Sequence, residues 1–276
     1  MPSISLKSYA KINLTLKILG MRPDGFHNIE SIMQTVSLFD EVKCIETPGN
    51  SIEISCSDKK VPVGEKNICY KAAELVKKKL SIGKGVGIDI KKSIPMEAGM
   101  GGGSSNAAAV LVGLNKMWEL KLSEDELVEI AAEIGSDVPF FIIGGRCLCK
   151  GRGEIIEKIG ADGRLPLQYI IVKPDVSVPT VWAYKEWDRT QSTERRTQNT
   201  GNDLEAVVIN KYPVIGEIKK SLLGAGCTSS QMTGSGSAVF GVCRDEDQGK
   251  KVLIKIKERY PRSFFVQDAG KGIDLI

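Results

Sequence analysis

The sequence predicts an α+β protein with two lobes, and three features of the 276-residue chain indicate this fold class. Strand-like and helix-like patterns alternate through the first half of the chain. After Gly153 the pattern changes, because turn-rich and strongly polar segments separate shorter apolar ones. The length also fits one large domain or two modest ones. We therefore expect an N-terminal domain over residues 1–155 and a C-terminal domain over residues 156–276.

The first strands are predicted from alternation. Residues 12–16 alternate apolar and polar side chains, which is typical of a half-buried strand. Residues 52–55 and 86–90 have the same pattern. Between these two strands, Asn67 is a suitable N-cap for a helix whose apolar face extends over residues 68–80.

A second helix is predicted from the residues at its two ends. Ser123, with Glu126 three residues later, has the spacing of a capping box. Apolar residues at helical spacing follow, and Gly135 is a typical residue for a helix to end on. The sequence therefore predicts a helix between Ser123 and Gly135.

The second half is predicted to form a separate unit with fewer regular elements. Residues 161–165 have the composition of a turn-rich connection, and residues 169–172 form a compact apolar strand. Residues 189–202 are almost wholly polar, which predicts a mobile loop. A helix is expected from Asp203, and a further strand over residues 237–243.

Composition excludes several classes of site. His27 is the one histidine, which excludes paired-histidine metal sites and leaves Ser-His-Asp or Cys-His chemistry only around this residue. The 38 basic and 34 acidic residues give a net charge of +4, which suits an anionic substrate but is too small to indicate nucleic-acid binding. Glycine, with 29 residues where average usage would give about 19, leaves phosphate binding by the backbone open.

Cysteine usage and hydropathy indicate a cytoplasmic protein. The seven cysteines are odd in number and include no C-x-x-C pair, which is typical of reduced thiols. Cys147 and Cys149 share one face of a possible strand and are expected in the core. Residues 1–10 lack an apolar core of signal-peptide length. No apolar run approaches the ~18 residues of a membrane span, so we expect no membrane partner.

The strongest local motif is residues 95–109, PMEAGMGGGSSNAAA, which follow a predicted strand and enter an alanine-rich helix. Its glycines allow close backbone approach to a ligand, and Ser104 and Ser105 suit the helix N-cap. Free N–H groups at such a helix start form an anion site. The motif differs from the dinucleotide fingerprint because Ser104 occupies the sixth position after Gly99, and from a Walker A loop because the next lysine is Lys116.

A second glycine cluster, residues 232–240 with the sequence MTGSGSAVF, precedes an apolar strand. A tight hairpin loop explains this cluster alone equally well. A functional role requires the two glycine clusters to meet in space, which the sequence does not show.

Three segments resemble the GHMP kinase superfamily, a group of ATP-dependent kinases of small molecules. They are residues 10–14, residues 95–109 and the cluster around Gly234 and Gly236. The resemblance implies a two-lobed GHMP-kinase fold with an N-terminal nucleotide-binding lobe and a C-terminal ferredoxin-like lobe. It also implies ATP and Mg²⁺ as cofactors, and a monomer or weak homodimer is expected.

Further segments are similar to superfamily members that phosphorylate the 2-hydroxyl of a cytidine-diphosphate-linked sugar alcohol in the non-mevalonate isoprenoid pathway. These segments are residues 22–27, 34–40, 135–141, 174–180 and 202–205. The chain departs from the usual pattern at Phe26, Met100 and Ser136, where tyrosine, leucine and alanine are usual. Phe26 keeps an aromatic face but loses a hydroxyl, so stacking on a base is retained and a hydroxyl contact is not.

The resemblance implies a catalytic pair, Lys11 and Asp137. Asp137 would accept the proton of the attacking hydroxyl, and Lys11 would hold Asp137 ionised and stabilise the transferring phosphoryl group. Taken alone, Lys11 is explained by a solvated lysine on an edge strand, and Asp137 by a polar cap at a loop. Lys11 is however the one charge between residues 8 and 16, in an otherwise apolar strand.

The resemblance also implies a cytidine site. Phe26 and a second aromatic residue would sandwich the base, and Tyr184 or its neighbour Trp182 would supply the second ring. His27 would contact the base edge with side chain and backbone, although a lone loop histidine is more often a surface residue. Two residues are expected to contact the sugar alcohol or its phosphates, Asn13 and Thr180.

For ATP, the resemblance implies a phosphate cradle and an adenine-side segment. Asn67 belongs to the adenine-side segment, and its role as a plain N-cap is compatible with that. Ser105 is the one candidate side chain for Mg²⁺. The expected cradle residues are Pro95, Gly99, Met100, Gly101, Gly102, Gly103, Ser104 and Ser105.

Three alternatives remain open at this stage. A kinase of mevalonate or homoserine would belong to the same superfamily, but Phe26 and His27 would then have no base to bind. A regulatory nucleotide-binding protein would lack Lys11 or Asp137, and both are present. A nucleic-acid-binding domain would need a basic, aromatic-rich face.

Overall fold

A computed structural model of the chain describes residues 1–160, 166–191 and 201–276. The elements of the larger sheet and its helices are β1 (Ser3–Asn13), β2 (Lys17–Met21), β3 (His27–Thr47), β4 (Ile52–Cys56), α1 (Ile68–Lys79), β5 (Gly85–Lys91), α2 (Gly102–Met117), α3 (Glu124–Ile134), α4 (Val138–Ile143), β6 (Arg146–Gly151), β7 (Ile155–Lys158) and β12 (Ile273–Leu275). Those of the smaller sheet and its helices are β8 (Gln168–Val172), α5 (Thr180–Gln191), α6 (Glu205–Lys211), α7 (Pro213–Ala225), β9 (Ser229–Met232), β10 (Val239–Cys243), α8 (Glu246–Arg259) and β11 (Ser263–Gln267).

The larger sheet has eight strands and is organised around the long strand β3. Its main path is β12-β1-β3-β5-β4, while β2 and β6 pair with other parts of β3 and β7 pairs with β6. The pairs are antiparallel except for β4 with β5. Helices α1 to α4 cover the apolar face of this sheet, because their alanine, leucine and valine side chains join those of β3 and β5 in one core.

The domain boundary predicted after residue 155 falls inside a strand. β7 begins at Ile155 and pairs with β6, so the larger sheet continues to Lys158. The chain also returns to this sheet at its end, where Leu275 pairs with Leu6 of β1. Backbone pairing between distant parts of the chain therefore brings into the first lobe two strands that the sequence prediction placed in the second.

The smaller sheet is antiparallel with the strand order β11-β8-β10-β9. Its chain order is strand, helices, two strands, helix and strand, so the first and third strands lie at the centre. This is the ferredoxin-like arrangement that the resemblance implied. Helices α6, α7 and α8 pack on one face, with Ile218, Leu222 and Val252 fully buried.

A third apolar cluster joins the two lobes beneath the glycine loop. Ala10 and Ile12 of β1 pack with Met100 of the loop and with Tyr169 and Phe240 of the smaller sheet, and all five are buried. Because interiors pack densely and resist displacement, this cluster fixes the glycine loop against both lobes.

Several predicted elements are confirmed by their caps. Asn67 caps α1 by accepting the backbone N–H of Cys69 at 2.8 Å. Ser123 and Glu126 form the predicted capping box, and α3 ends at Gly135. The predicted apolar face of α1 is too long by one residue, because the helix ends at Lys79 and leaves Leu80 exposed.

The first predicted strand, residues 12–16, overlaps β1 only at Ile12 and Asn13, because β1 extends from Ser3 to Asn13. β1 stops at Asn13, because Leu16 leaves the sheet to bond with the other lobe. The Leu16 N–H donates to the Gly201 carbonyl at 2.7 Å, and its carbonyl accepts the Asp203 N–H at 2.9 Å. The helix predicted from Asp203 accordingly begins two residues later, at Glu205.

The predicted mobile loop begins inside a helix. α5 continues to Gln191, because Trp187 extends its buried face and Arg189 pairs with Glu186 one turn away. Residues 192–200 of that loop, and the turn-rich connection at residues 161–165, lie outside the described residues.

Two further expectations concerned the cysteines and membrane-spanning helices. All seven cysteines are free, and Cys147 and Cys149 are fully buried on one face of β6, as predicted. Over residues 1–160, 166–191 and 201–276, the structure contains no helix with the length and apolar character needed to cross a membrane.

Candidate active site

Both lobes line one large cavity of about 900 Å³, which lies within the size range of small-molecule sites. The larger lobe contributes the start of β3, the glycine loop and the turn before α4. The smaller lobe contributes the exposed face of α5 and the second glycine cluster through Gly234 and Ser235. Nearly all the residues predicted for the site line this cavity.

The helix after the glycine loop begins at Gly102, so the predicted N-cap at Ser104 or Ser105 is wrong. Gly101 is the N-cap, with a left-handed φ of 70°, and the Ser105 N–H already donates to its carbonyl at 2.9 Å. A glycine can take this conformation where serine is strained, and the helix starts earlier as a result. The N–H groups of Gly102, Gly103 and Ser104 are therefore the free donors at the positive end of α2.

Ser105 faces away from the cavity. Its side chain is fully buried, its hydroxyl accepts a hydrogen bond from Ser8 at 2.7 Å, and it is absent from the cavity lining. The structure therefore does not place the Ser105 hydroxyl where it would contact a phosphate or Mg²⁺. Ser104 and the neighbouring glycines do line the cavity, as do Pro95 and Met100.

A buried carboxylate that the sequence analysis did not assign holds both ends of the glycine loop. Asp40 accepts the backbone N–H groups of Ser93 and Ile94, at 2.7 and 2.8 Å, just before the loop. It also accepts the Asn106 side-chain amide at 2.9 Å, just after the loop, and pairs with the ammonium group of Lys92. The signal available in the sequence was the segment 34–40, which ends at Asp40 and to which no role was assigned.

The two glycine clusters meet, as a shared functional role requires. The Ala238 N–H donates to the Ala98 carbonyl at 3.2 Å, and the Thr233 hydroxyl donates to the Gly99 carbonyl at 3.3 Å. Gly99 has a φ of 71°, and a Cβ at this position would collide with the carbonyl oxygen of Thr233. The approach of the two backbones is therefore possible only with glycine here.

The segment 202–205 holds the second glycine cluster. Asn202 donates through its side-chain amide to the carbonyls of Met232 and Gly234, at 2.8 and 2.9 Å. The buried Glu205 accepts the Met232 N–H at 2.7 Å and pairs with Lys219. The segment thus acts on the site through the loop that it supports.

Lys11 lies on the floor of the cavity and is buried, with 4% of its surface exposed. Its ammonium group lies 3.7 Å from a carboxylate oxygen of Asp137 and donates to the side-chain oxygen of Asn13 at 2.5 Å. Its backbone N–H donates to the Met100 carbonyl at 3.0 Å. The alternative of a solvated lysine on an edge strand is thereby excluded.

Asp137 precedes α4 but does not cap it, since its side chain makes no capping hydrogen bond. One third of the side chain is exposed, and it lines the cavity. Burial, followed by the nearby Asp137 carboxylate, raises the pKa of the Tyr184 hydroxyl. Asp137 thus pairs with Lys11 and lines the same cavity as Tyr184.

Asn13 connects Lys11 to the second glycine cluster. Its side-chain amide donates to the Ser31 hydroxyl at 2.8 Å, and its backbone N–H donates to the Thr233 hydroxyl at 2.9 Å. With its oxygen occupied by Lys11, Asn13 has its polar groups engaged within the protein, although it also lines the cavity. Thr233 was missed because a glycine-rich loop gave no reason to single out its threonine.

At the other end of the cavity, His27 contacts three residues of α5. A carboxylate oxygen of Asp188 lies 2.8 Å from its Nε2. Tyr184 stacks on the imidazole, with ring centroids 4.9 Å apart and planes inclined by 27°, and Trp187 contacts it edge-on at 5.9 Å. The alternative of a lone surface histidine is excluded, because His27 is buried.

The structure distinguishes the two aromatic candidates of the second lobe. Tyr184 lines the cavity, whereas Trp182 packs edge-on against Tyr212 and under the ammonium group of Lys211. Phe26 is 51% exposed at the cavity edge and has the Arg152 guanidinium over its ring at 5.1 Å. Stacking on a base would therefore involve Phe26 and Tyr184.

The remaining predicted residues also line the cavity. Thr180 begins α5, and its hydroxyl lies in hydrogen-bond contact with that of Ser235 at 2.9 Å. Both polar atoms of the Asn67 side chain are engaged within the protein. Its oxygen accepts the Cys69 N–H, and its nitrogen donates to the Pro62 carbonyl at 2.6 Å. Asn67 thus orients the wall around Pro62. The described residues contain no group of three or more histidine, cysteine or acidic side chains placed to hold a metal.

Comparison with known proteins gives consistent matches along the chain. Residues 67–145 match the GHMP kinases N terminal domain, and residues 190–262 match the GHMP kinases C terminal domain. A 4-diphosphocytidyl-2-C-methyl-D-erythritol kinase of Clostridioides difficile is 41% identical over 100% of this chain and 98% of its own length. One of Acetivibrio thermocellus is 42% identical over 90% of this chain and 93% of its own length.

Solved structures share the fold. A crystal structure of 4-(cytidine 5'-diphospho)-2C-methyl-D-erythritol kinase matches with a TM-score of 0.80 and 26% identity, over 96% of this chain and 99% of that chain. A homoserine kinase from Cytophaga hutchinsonii matches with a TM-score of 0.77 and 18% identity, over 100% of this chain and 98% of that chain. At this lower identity, the second match shows the fold alone.

Proposed function

The chain belongs to the GHMP kinases and, among them, to the 4-diphosphocytidyl-2-C-methyl-D-erythritol kinases, and we propose that it transfers the γ-phosphoryl group of ATP to the 2-hydroxyl of that cytidine diphosphate compound. This is a step of the non-mevalonate isoprenoid pathway. The observation that carries the proposal is that the Lys11–Asp137 ion pair, the helix start of the glycine loop and the His27–Tyr184 cluster line one cavity.

The proposed mechanism assigns the proton and the charge to different residues. Asp137 has a carboxylate without a capping role and with access to the cavity, so it accepts the proton of the attacking hydroxyl. Lys11 is a cation fixed by Asn13 and Asp137, and it stabilises the negative charge of the transferring phosphoryl group. Phosphoryl transfer depends mainly on such positioning and charge stabilisation.

ATP binds in this proposal with its phosphates on the free N–H groups of Gly102, Gly103 and Ser104. The adenine lies along the wall that Asn67 orients around Pro62. Of the two serines, Ser104 would hold Mg²⁺, since Ser104 lines the cavity and Ser105 is turned into the core. When bound, the metal would neutralise charge on the ATP phosphates.

The base end of the cavity favours a cytidine compound over the substrates of related kinases. The shared fold does not distinguish these activities, because homoserine kinase and the cytidine enzyme match with similar TM-scores. Phe26, His27 and Tyr184 provide two aromatic faces and a polar ring edge, which a nucleobase requires. Mevalonate and homoserine have no group that would use them.

We also propose that the enzyme is cytoplasmic and acts as a monomer or weak homodimer. All seven cysteines are unpaired and six of them are buried, as expected for a reducing compartment. Both lobes of the chain contribute residues to the cavity lining.

The test is ADP release measured side by side with three acceptors at equal concentration. The proposal predicts turnover with the cytidine compound and none above background with mevalonate or homoserine. Turnover of mevalonate or homoserine in preference to the cytidine compound would contradict it. ATP hydrolysis independent of the acceptor, measured in its absence, is the control to subtract.

A further inference from the structure

We propose that Asp188 is a positioning residue that holds the proton of His27 on Nε2 and leaves Nδ1 as an acceptor for the amino group of cytosine. The base-reading part of this inference rests on the proposed function, whereas the protonation of the ring does not. Asp188 was not singled out from the sequence, although it lies one helical turn after Tyr184 on α5.

The geometry determines which atom donates. An ionised carboxylate can only accept hydrogen bonds, so the 2.8 Å contact between Asp188 Oδ1 and His27 Nε2 requires the proton on Nε2. Asp188 is the more exposed partner, with 28% of its side chain accessible against 7% for His27. The carboxylate therefore keeps contact with solvent while the ring is enclosed.

Neighbouring groups of α5 fix the orientation of the imidazole. Tyr184 covers one face of the ring and Trp187 contacts it edge-on, and both belong to the helix that carries Asp188. One helix thus fixes the ring plane and the proton position together. A ring turned by 180° about the Cβ–Cγ bond would keep its plane but move Nε2 away from Asp188, so the Asp188 contact selects the orientation of the ring.

The other nitrogen of His27 is available to a ligand. Among the described residues, none makes a hydrogen bond to Nδ1, and His27 lines the cavity. In a neutral ring with its proton on Nε2, Nδ1 carries a lone pair and accepts. Cytosine presents an amino donor on its pairing edge, whereas uracil presents a carbonyl oxygen at the same position. The arrangement therefore selects cytosine over uracil.

The protonation state is tested directly by nitrogen NMR of protein labelled with ¹⁵N-histidine, because the chain has a single histidine and gives one pair of ring signals. At pH 8.5, without ligand, we expect a protonated Nε2 and an unprotonated Nδ1. A proton on Nδ1 alone, or on both nitrogens, would overturn the proposal. This measurement uses the unmodified protein, so it stands even if a variant fails to fold.

The kinetic test compares Asp188→Ala with Glu186→Ala. Glu186 lies on the same helix and pairs with Arg189 without contacting His27, so its substitution removes an ion pair of α5 but leaves the ring in place. For Asp188→Ala we expect a KM for the cytidine compound raised about tenfold, with kcat within twofold, since a charge-assisted hydrogen bond is lost. Its preference over the uridine analogue should fall by a similar factor.

The outcomes separate this inference from the proposed function. An unchanged KM and unchanged cytidine preference in Asp188→Ala would overturn the positioning role, as would an equal effect of Glu186→Ala. Absence of turnover of the cytidine compound by the unmodified enzyme would instead refute the proposed function. In that case the NMR measurement still decides the protonation of His27.

Discussion

The contact between the two glycine clusters is tested most sharply by Gly99→Ala. At a φ of 71° an L-residue is strained, and the new Cβ would also collide with the carbonyl oxygen of Thr233. The left-handed conformation costs about 1–2 kcal/mol and overpacking about 1–3 kcal/mol. The free energy of unfolding should therefore fall by about 2–5 kcal/mol. Relief of the collision displaces the glycine loop from Lys11, and a shift of about 1 Å in such a loop lowers kcat by about 100-fold.

Gly49→Ala is the matched control for this prediction. Gly49 also has a positive φ, of 79°, but its Cβ would have no neighbour within 4 Å, and the residue lies in the turn after β3. Because of backbone strain alone, this variant should have a free energy of unfolding lowered by about 1–2 kcal/mol and an unchanged kcat. Denaturant unfolding and the ADP-release assay measure the two quantities. A kcat of Gly99→Ala within twofold of that of Gly49→Ala would refute the reasoning.

Three further predictions concern two residues that support the site and the accessibility of the cysteine thiols. Asp40→Asn removes the buried carboxylate that pairs with the Lys92 ammonium, whose side chain is 8% exposed. The free energy of unfolding should fall by about 3–5 kcal/mol, and a loss under 1 kcal/mol in urea unfolding would contradict this. Asn67→Ala removes an N-cap worth about 1 kcal/mol and frees the loop at Pro62, so the KM for ATP should rise while that for the cytidine compound does not. Burial raises the pKa of the Cys44 thiol to about 12, and since Cys56 is the one cysteine that is not buried, a thiol reagent at pH 8 should find at most one fast group in the native protein and seven after denaturation.

The local elements that carry the chemistry were predictable because their signals lie within a few residues. The capping residues Asn67 and Ser123 were identified from side chains that bond to the next turn. The glycine loop was identified from its position between a strand and a helix. The first residue of α2 was not predicted correctly. Serine propensity indicated an N-cap at Ser104, whereas the left-handed Gly101 is the N-cap in the structure.

The features that escaped prediction depend on contacts between distant parts of the chain. The return of the last strand to β1 and the approach of Gly99 to Thr233 join residues more than 130 positions apart. The role of Asp40 depends on backbone N–H groups that follow β5. The role of Asp188 depends on the contact between α5 and the start of β3, which brings Asp188 to His27. No local pattern contains such information.

The most direct test of the central claim is ³¹P NMR of the reaction of ATP with the cytidine compound, using the unmodified enzyme and Asp137→Asn. The account predicts one new phosphomonoester signal in a one-to-one ratio with ADP, and its absence in Asp137→Asn while substrate binding stays within about tenfold. ATP consumption without the phosphomonoester would contradict the proposed reaction. Equal product formation by Asp137→Asn would contradict the role of Asp137 as the base.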